Sequence, residues 1–269
     1  MTKTISAAAN PALANNLIKD ALAEKPVQKE TEVITPLDTV VTLPCGYLTP
    51  EGDVITEAEV KELTGKDEEA ISRATTTGKA LLTTLNRGVV RIGNKKATEE
   101  LLDQLLTGDR DFLLLAILRV TFGKTVSSSA FCNTCNEFKD ATIDLDKDIK
   151  IKVMTDPIQE RVFTIQGKSQ EITAQLPNGK AQKELINNSD KTTSELNSIL
   201  LENTVMKIGN SPVVSKLQVQ SLGILDRRKL VDEINNRIAG PKFEDLKVNC
   251  PDCESEVQVP INLGNLFRF

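Results

Sequence analysis

Two short cysteine motifs constrain this chain more than any other feature. Cys132-Asn133-Thr134-Cys135 and Cys250-Pro251-Asp252-Cys253 each place two thiols across a small, turn-forming spacer. Each precedes an alternating apolar stretch, Ala141, Ile143 and Leu145 after the first and Val257, Val259 and Ile261 after the second. Period-two alternation predicts strands with one buried face. A two-residue spacer lets both sulfurs of a knuckle face one ion, and four thiolates suit a tetrahedral soft cation. The pattern therefore predicts a closed structural Zn²⁺ site, one ion per chain, with Cys132, Cys135, Cys250 and Cys253 as ligands. A catalytic zinc would need an open position, and four Cys leave none. Two other readings compete: a redox C-x-x-C pair, which calls for a helix carrying the second Cys where strands follow here, and plain structural thiols. A shared ion would staple residues 129–145 onto the C-terminal strand and close residues 136–249 as one long loop.

What the chain lacks narrows its chemistry further. There is no His, no Trp and one Tyr, and aromatic residues make up 3% of the sequence. Every mechanism that needs imidazole is excluded, Cys-His and Ser-His-Asp pairs among them. Cys45 then has no base to activate it and reads as a small buried residue at a turn. Lys and Arg number 33 against 38 acids, for a net charge of -5, so nonspecific phosphate binding is not expected. Gly123-Lys124-Thr125 lacks the upstream Gly of a P-loop, since Leu118 stands at that position. Gly78-Lys79-Ala80 fails at its last residue. Glu68-Glu69 and Glu99-Glu100 fall in first helical turns, where the helix dipole favours acids. Asp226-Arg227-Arg228-Lys229 opens a helix whose other face carries Leu225, Leu230, Ile234 and Ile238, and reads as a solvated face.

The N-terminus has no apolar run of signal-peptide length, and the longest apolar stretch, 112–118, is too short to span a bilayer. A cytosolic setting is expected, in which five Cys do not suggest a disulfide framework.

Residues 1–35 read as a flexible arm in which Leu13, Leu17, Ile18, Ala21 and Leu22 could share one helical face. Residues 36–125 predict a hairpin turning at Pro50-Glu51-Gly52-Asp53, followed by helices over about 57–63, 66–86, 98–107 and 110–122. Capping boxes at Thr56-Glu59 and Thr64-Asp67 support the first two. The helix at 110–122 is apolar on nearly all sides and should be the central core helix. Residues 126–150 and 241–269 form the split zinc-ribbon module. Between them, 151–240 predict a strand pair turning at Gly167-Lys168-Ser169 and helices near 180–188, 193–208 and 225–239. The fold class is α+β: an N-terminal β-hairpin plus helical bundle, with a split four-cysteine zinc-ribbon-like β module carrying a mixed α/β insertion.

The stretch from Leu43 to Ala74 resembles the opening signature of baseplate proteins from contractile-tailed bacteriophages and related injection systems. Leu43, Pro44, Gly46, Tyr47, Gly52, Glu57, Ala58, Glu59, Leu63, Thr64, Gly65, Glu68 and Glu69 carry the likeness. It departs at Cys45, where Gly is expected. The resemblance implies a non-enzymatic structural or assembly component of the tail baseplate, assembled in the host cytoplasm, with other baseplate and tail proteins as partners; self-association is compatible with the same features. The terminal Asn265-Leu266-Phe267-Arg268-Phe269 is either an exposed aromatic anchor or a tail folded back over the ribbon. The alternative function is a nucleic-acid-binding or transcription-related zinc ribbon. That reading expects Lys and Arg around the knuckles, where Asp252, Glu254 and Glu256 stand instead.

Overall fold

The computed structural model describes residues 39–243, 246–259 and 261–267. The expected N-terminal arm with its Leu13–Leu22 helix, and Phe269 at the other end, lie outside them. Val40–Leu48 (β1) and Val54–Val60 (β2) pair as the expected hairpin. Regular pairing lapses between Thr42 and Tyr47, where Leu43-Pro44-Cys45-Gly46 bulges. Pro44 has no N–H to give a ladder, and Gly46 takes a φ of 71° with Val54 Cγ1 2.6 Å from where a Cβ would sit.

The predicted helix at 57–63, with its capping box at Thr56-Glu59, is instead the end of β2. Ala58 and Val60 are fully buried, while Glu57 and Glu59 point outward to Arg91 at 2.7 and 2.5 Å. Period-two burial and a partner strand outweigh a local capping motif. The Thr64-Asp67 box forms as expected and opens Gly65–Ser72 (α1). The predicted helix at 66–86 breaks at residues 73–76, and Thr77–Gly88 (α2) restarts on Thr76, whose side chain accepts from Lys79 N. The run Thr75-Thr76-Thr77 is β-branched and competes for backbone hydrogen bonds, which favours a break and a cap over a continuous helix. Val89–Ile92 (β3) and Lys95–Lys96 (β4), an unpredicted hairpin, complete an antiparallel sheet in the order β1-β2-β3-β4.

Glu99–Gln104 (α3) leads into Thr107–Phe122 (α4). Every residue from Leu113 to Leu118 is buried, so α4 is the central helix its composition predicts. Thr125–Cys132 (β5) and Glu137–Asp144 (β6) pair along their whole length. The serine-rich β5 carried no strand signal of its own. Lys150–Lys152 (β7) precedes the expected hairpin of Val162–Gln166 (β8) and Glu171–Gln175 (β9). Gly179–Asn187 (α5) is capped by Asn178, and Thr193–Thr204 (α6) by a Thr192-Glu195 box. The helix predicted to reach 208 stops at Thr204. Val205–Ile208 (β10) and Ser211–Pro212 (β11) turn around Gly209, whose φ is 59°, and extend the second sheet to β11-β10-β9-β8.

Lys216–Gln220 (α7) and Ile224–Arg237 (α8) follow. Leu230 and Ile234 are buried, whereas Leu225, expected on the same face, is 73% exposed. The basic cluster is no simple solvated face: Asp226 accepts from Lys168 N, Arg227 donates to Ser198 Oγ and Val219 O, and Lys229 donates to Gln166 O. Gly240–Lys242 (β12) pairs with β7, Lys247–Asn249 (β13) pairs with Glu256–Gln258 (β14), and Leu263–Phe267 (α9) folds back against α4 and α2. Phe267 is buried there.

Two apolar cores result. One joins α4, the first sheet, α9 and the cysteine-bearing strands; the other joins β8–β10, α6 and α8, with Cys45 and Leu106. They meet where the β1 bulge faces the start of α4. Cys45 N donates to Asp109 Oδ1 at 2.7 Å, Arg161 donates to the carbonyls of Cys45 and Gly46, and Met154 N donates to Pro44 O at 2.9 Å. Gly108 lies so close to the other side that a Cβ would sit 1.9 Å from Ala239 O.

Gly108→Ala should therefore cost about 3 kcal/mol, since backbone must move, while Gly65→Ala, with nothing within 4 Å of its Cβ position, should leave the unfolding midpoint unchanged or slightly raised. Thermal unfolding of the two variants checks the contrast. Asp109 is fully buried and its Oδ2 has no hydrogen-bond partner. Desolvation raises its pKa to about 6 despite the hydrogen bond from Cys45. A carboxyl that holds its proton more tightly when folded stabilises the native state at low pH, and loses that contribution as pH rises from its unfolded value, about 4, through its folded one. Asp109→Asn should remove this component. The difference between wild-type and variant stability curves should change by about 2–3 kcal/mol between pH 4 and pH 7 and be flat above.

Candidate metal centre

The two knuckles occupy equivalent positions in two antiparallel ribbons, the first long and the second short. The first turns between β5 and β6 and the second between β13 and β14, with β14 beside β5 and β13 beside β6. Their local geometry repeats. The first Cys of each knuckle, Cys132 or Cys250, is buried, and the second, Cys135 or Cys253, is half-buried. The residue after each second Cys takes a left-handed conformation, Asn136 at φ 56° and Glu254 at φ 57°. Cys135 N points at Cys132 Sγ at 3.5 Å, and the second turn is closed by Glu254 N to Cys250 O and Cys250 N to Ser255 O, both 2.9 Å.

This repetition brings all four sulfurs to one place. Cys132 Sγ lies 3.5 Å from Cys253 Sγ, Cys135 Sγ lies 3.9 Å from Cys250 Sγ, and all four are within 4.8 Å of one another. These separations exceed a disulfide bond of about 2.0 Å and all five cysteines of the chain are free. A tetrahedron with Zn–S of about 2.3 Å has sulfurs about 3.8 Å apart, so the cage has the size and the donor chemistry to hold a soft metal ion. It is the one such group among the described residues.

Two neighbours of the cage had no sequence signal. Ser255 Oγ is 2.9 Å from Cys253 Sγ and 3.4 Å from Cys132 Sγ. With Cys135 N–H it brings the Cys132 thiol down to about 6, and it also lowers Cys253. Cys253 and the other adjacent thiols, with desolvation, push Cys135 up to about 12. Lys139 on β6 reaches Glu137 and Asp252, each at 2.7 Å, and so ties the first ribbon to the second knuckle by charge. The alternating polar residues of β6 gave no hint that Lys139 would cross to the other knuckle. Cys45 is not part of the cage. It is buried in the β1 bulge, where desolvation and the Asp109 carboxylate keep its thiol protonated, well above the ordinary range.

A cavity of about 650 Å³ lies elsewhere, between α1, α2 and the end of α4, where Leu63, Ile71, Phe122 and Phe267 line it beside several Thr. Glu68 is its one titratable lining residue.

The family model described as T4 bacteriophage base plate protein matches residues 48–218, well over half of the chain. The chain belongs to that family. A T4 base plate family member has a structural role in the phage tail baseplate, with other tail proteins around it. The match takes in the first knuckle and ends before the second. No curated protein and no solved structure matches this chain. No helix among the described residues of this base plate family protein is long and apolar enough to cross a membrane.

Glu254 is a strained residue in this baseplate protein, because a left-handed backbone costs an ordinary L residue about 1–2 kcal/mol and Asn much less. Glu254→Asn should raise stability by about 0.5–1 kcal/mol, read as a higher midpoint in denaturant with an unchanged slope.

Proposed function

We propose that the chain is a structural or assembly part of the tail baseplate in which one Zn²⁺, held by Cys132, Cys135, Cys250 and Cys253, staples the ribbon at residues 126–150 to the one at 241–269. On this reading the protein belongs in the virion tail baseplate, built in the host cytoplasm and joined there to other tail proteins. It is supported most by the four sulfurs, whose separations of 3.5 and 3.9 Å across the knuckles match the edges of a thiolate tetrahedron. The second ribbon is short and would be held weakly against the first without a common centre. β13 and β14 are three residues each, below the length at which a lone hairpin is stable in water. A structural ion that needs both knuckles makes their docking part of folding, since metal-binding energy at such sites is folding energy. It also removes chain entropy by closing residues 136–249 as a loop.

Elemental analysis of the purified full chain should find one zinc per chain, and a chelator should lower its unfolding midpoint. Cys250→Ser should lose the metal. Unchanged metal content in that variant, or iron in place of zinc, would overturn the assignment. Ser255→Ala should keep the metal but weaken its hold about tenfold, the usual scale for a group that supports ligands from outside the coordination shell. Competition with a chromophoric chelator measures that change.

A further inference from the structure

Eight Phe and one Tyr are all the large aromatic rings this chain has, yet two of them face solvent side by side. Phe131 and Phe138 sit directly opposite each other on β5 and β6, 41% and 72% exposed, with ring centroids 5.2 Å apart and planes at 69°. The inward face of the same ribbon already supplies the core through Ala130, Cys132, Ala141 and Ile143. The pair therefore adds little to folding beyond its own edge-to-face contact, and exposed aromatic pairs of this kind act as anchors in protein interfaces. Ser129, Asp140 and Thr142 are exposed on the same face, so among the described residues this face is open. Phe131 adjoins Cys132, which holds the pair on a braced end of the ribbon.

Charge around the pair narrows what can cover it. Residues 125–145 and 246–259 carry six carboxylates, Glu137, Asp140, Asp144, Asp252, Glu254 and Glu256, against two lysines. Both lysines are committed to ion pairs, Lys139 with Glu137 and Asp252, and Lys247 with Glu256. Asp140, opposite Ser129, shares the outward face with the two rings. A second copy would bring the same acids against each other, and nucleic acid or an anionic lipid surface would be repelled. A basic protein surface is attracted, and its Lys or Arg can also lie over the ring faces.

We propose that this face, centred on Phe131 and Phe138 with Asp140 beside them, docks another tail protein through an apolar pocket rimmed by Lys and Arg. The proposal rests on the baseplate reading and names the kind of partner that reading requires. The test uses the full chain, produced together with the other tail components, with Phe138 replaced by photoreactive benzoylphenylalanine. Irradiation should join position 138 to one other tail protein, on a peptide that carries Lys or Arg. Joining to a second copy or to nucleic acid, or no joining at all, would overturn the docking surface. In parallel, Phe138→Ser and Asp140→Lys should each reduce the yield of infectious particles about tenfold or more while metal content and unfolding midpoint stay as in the unsubstituted chain. Full yield from both variants would equally overturn it. The baseplate reading fails by a different sign: the unsubstituted chain would be missing from purified tails and from their assembly intermediates.

Discussion

A helix with no polar face has to be covered on every side, and α4 imposes that requirement on the whole chain. Leu113 to Leu118 are all buried, and the helix as a whole packs against the first sheet, α2, α5, β5, β12 and α9, elements drawn from the full length of the described chain. Burying a side chain of this size is worth about 1.5–3 kcal/mol, and no single neighbouring segment is large enough to collect that gain alone. The shortest of the surrounding elements, β4 of two residues and β12 of three, are held by what they pack against more than by their own hydrogen bonds.

The start of α4 is where the two cores are joined. Asp109, in the first turn of the helix, takes the Cys45 amide that the β1 bulge leaves unpaired, and Arg161 takes the bulge's carbonyls from the other core. The residues that carry the family resemblance here are those a bulge needs: Pro44 without an N–H, and Gly46 at a positive φ. Cys45 in place of the expected Gly is accommodated because its side chain is small enough to be buried between the two cores. The same logic applies at Thr64, whose capping box with the buried Asp67 turns β2 into α1.

The thiol cage lies at a different junction, where a long ribbon and a short one from distant parts of the chain meet. Each knuckle brings its own geometry, with a left-handed residue after the second Cys, and the pair meet with near two-fold equivalence. Lys139 and Ser255 tie the cage to its surroundings without donating a sulfur. The acids around the knuckles run against a nucleic-acid-binding ribbon.

The sequence by itself determined the central helix, the β1–β2 and β8–β9 hairpins, the Thr64 cap and the pairing of thiols within each knuckle, because each is encoded by residues close together with an unambiguous period or turn. Tertiary structure decided the rest. Thr56–Glu59 became strand because β1 and β3 flank it on either side, and the serine-rich β5 became strand because β6 was there to pair with it. Val205–Ile208 left its helix for the edge of β9. Arg227 and Lys229 turned inward to carbonyls and a hydroxyl on segments that no local pattern places beside them. The meeting of Cys132 with Cys253 also belongs to the fold. Local spacing sets two thiols side by side in each knuckle, but a separation spanning residues 136–249 is crossed through the shared core, whose packing depends on side chains brought together from distant parts of the chain.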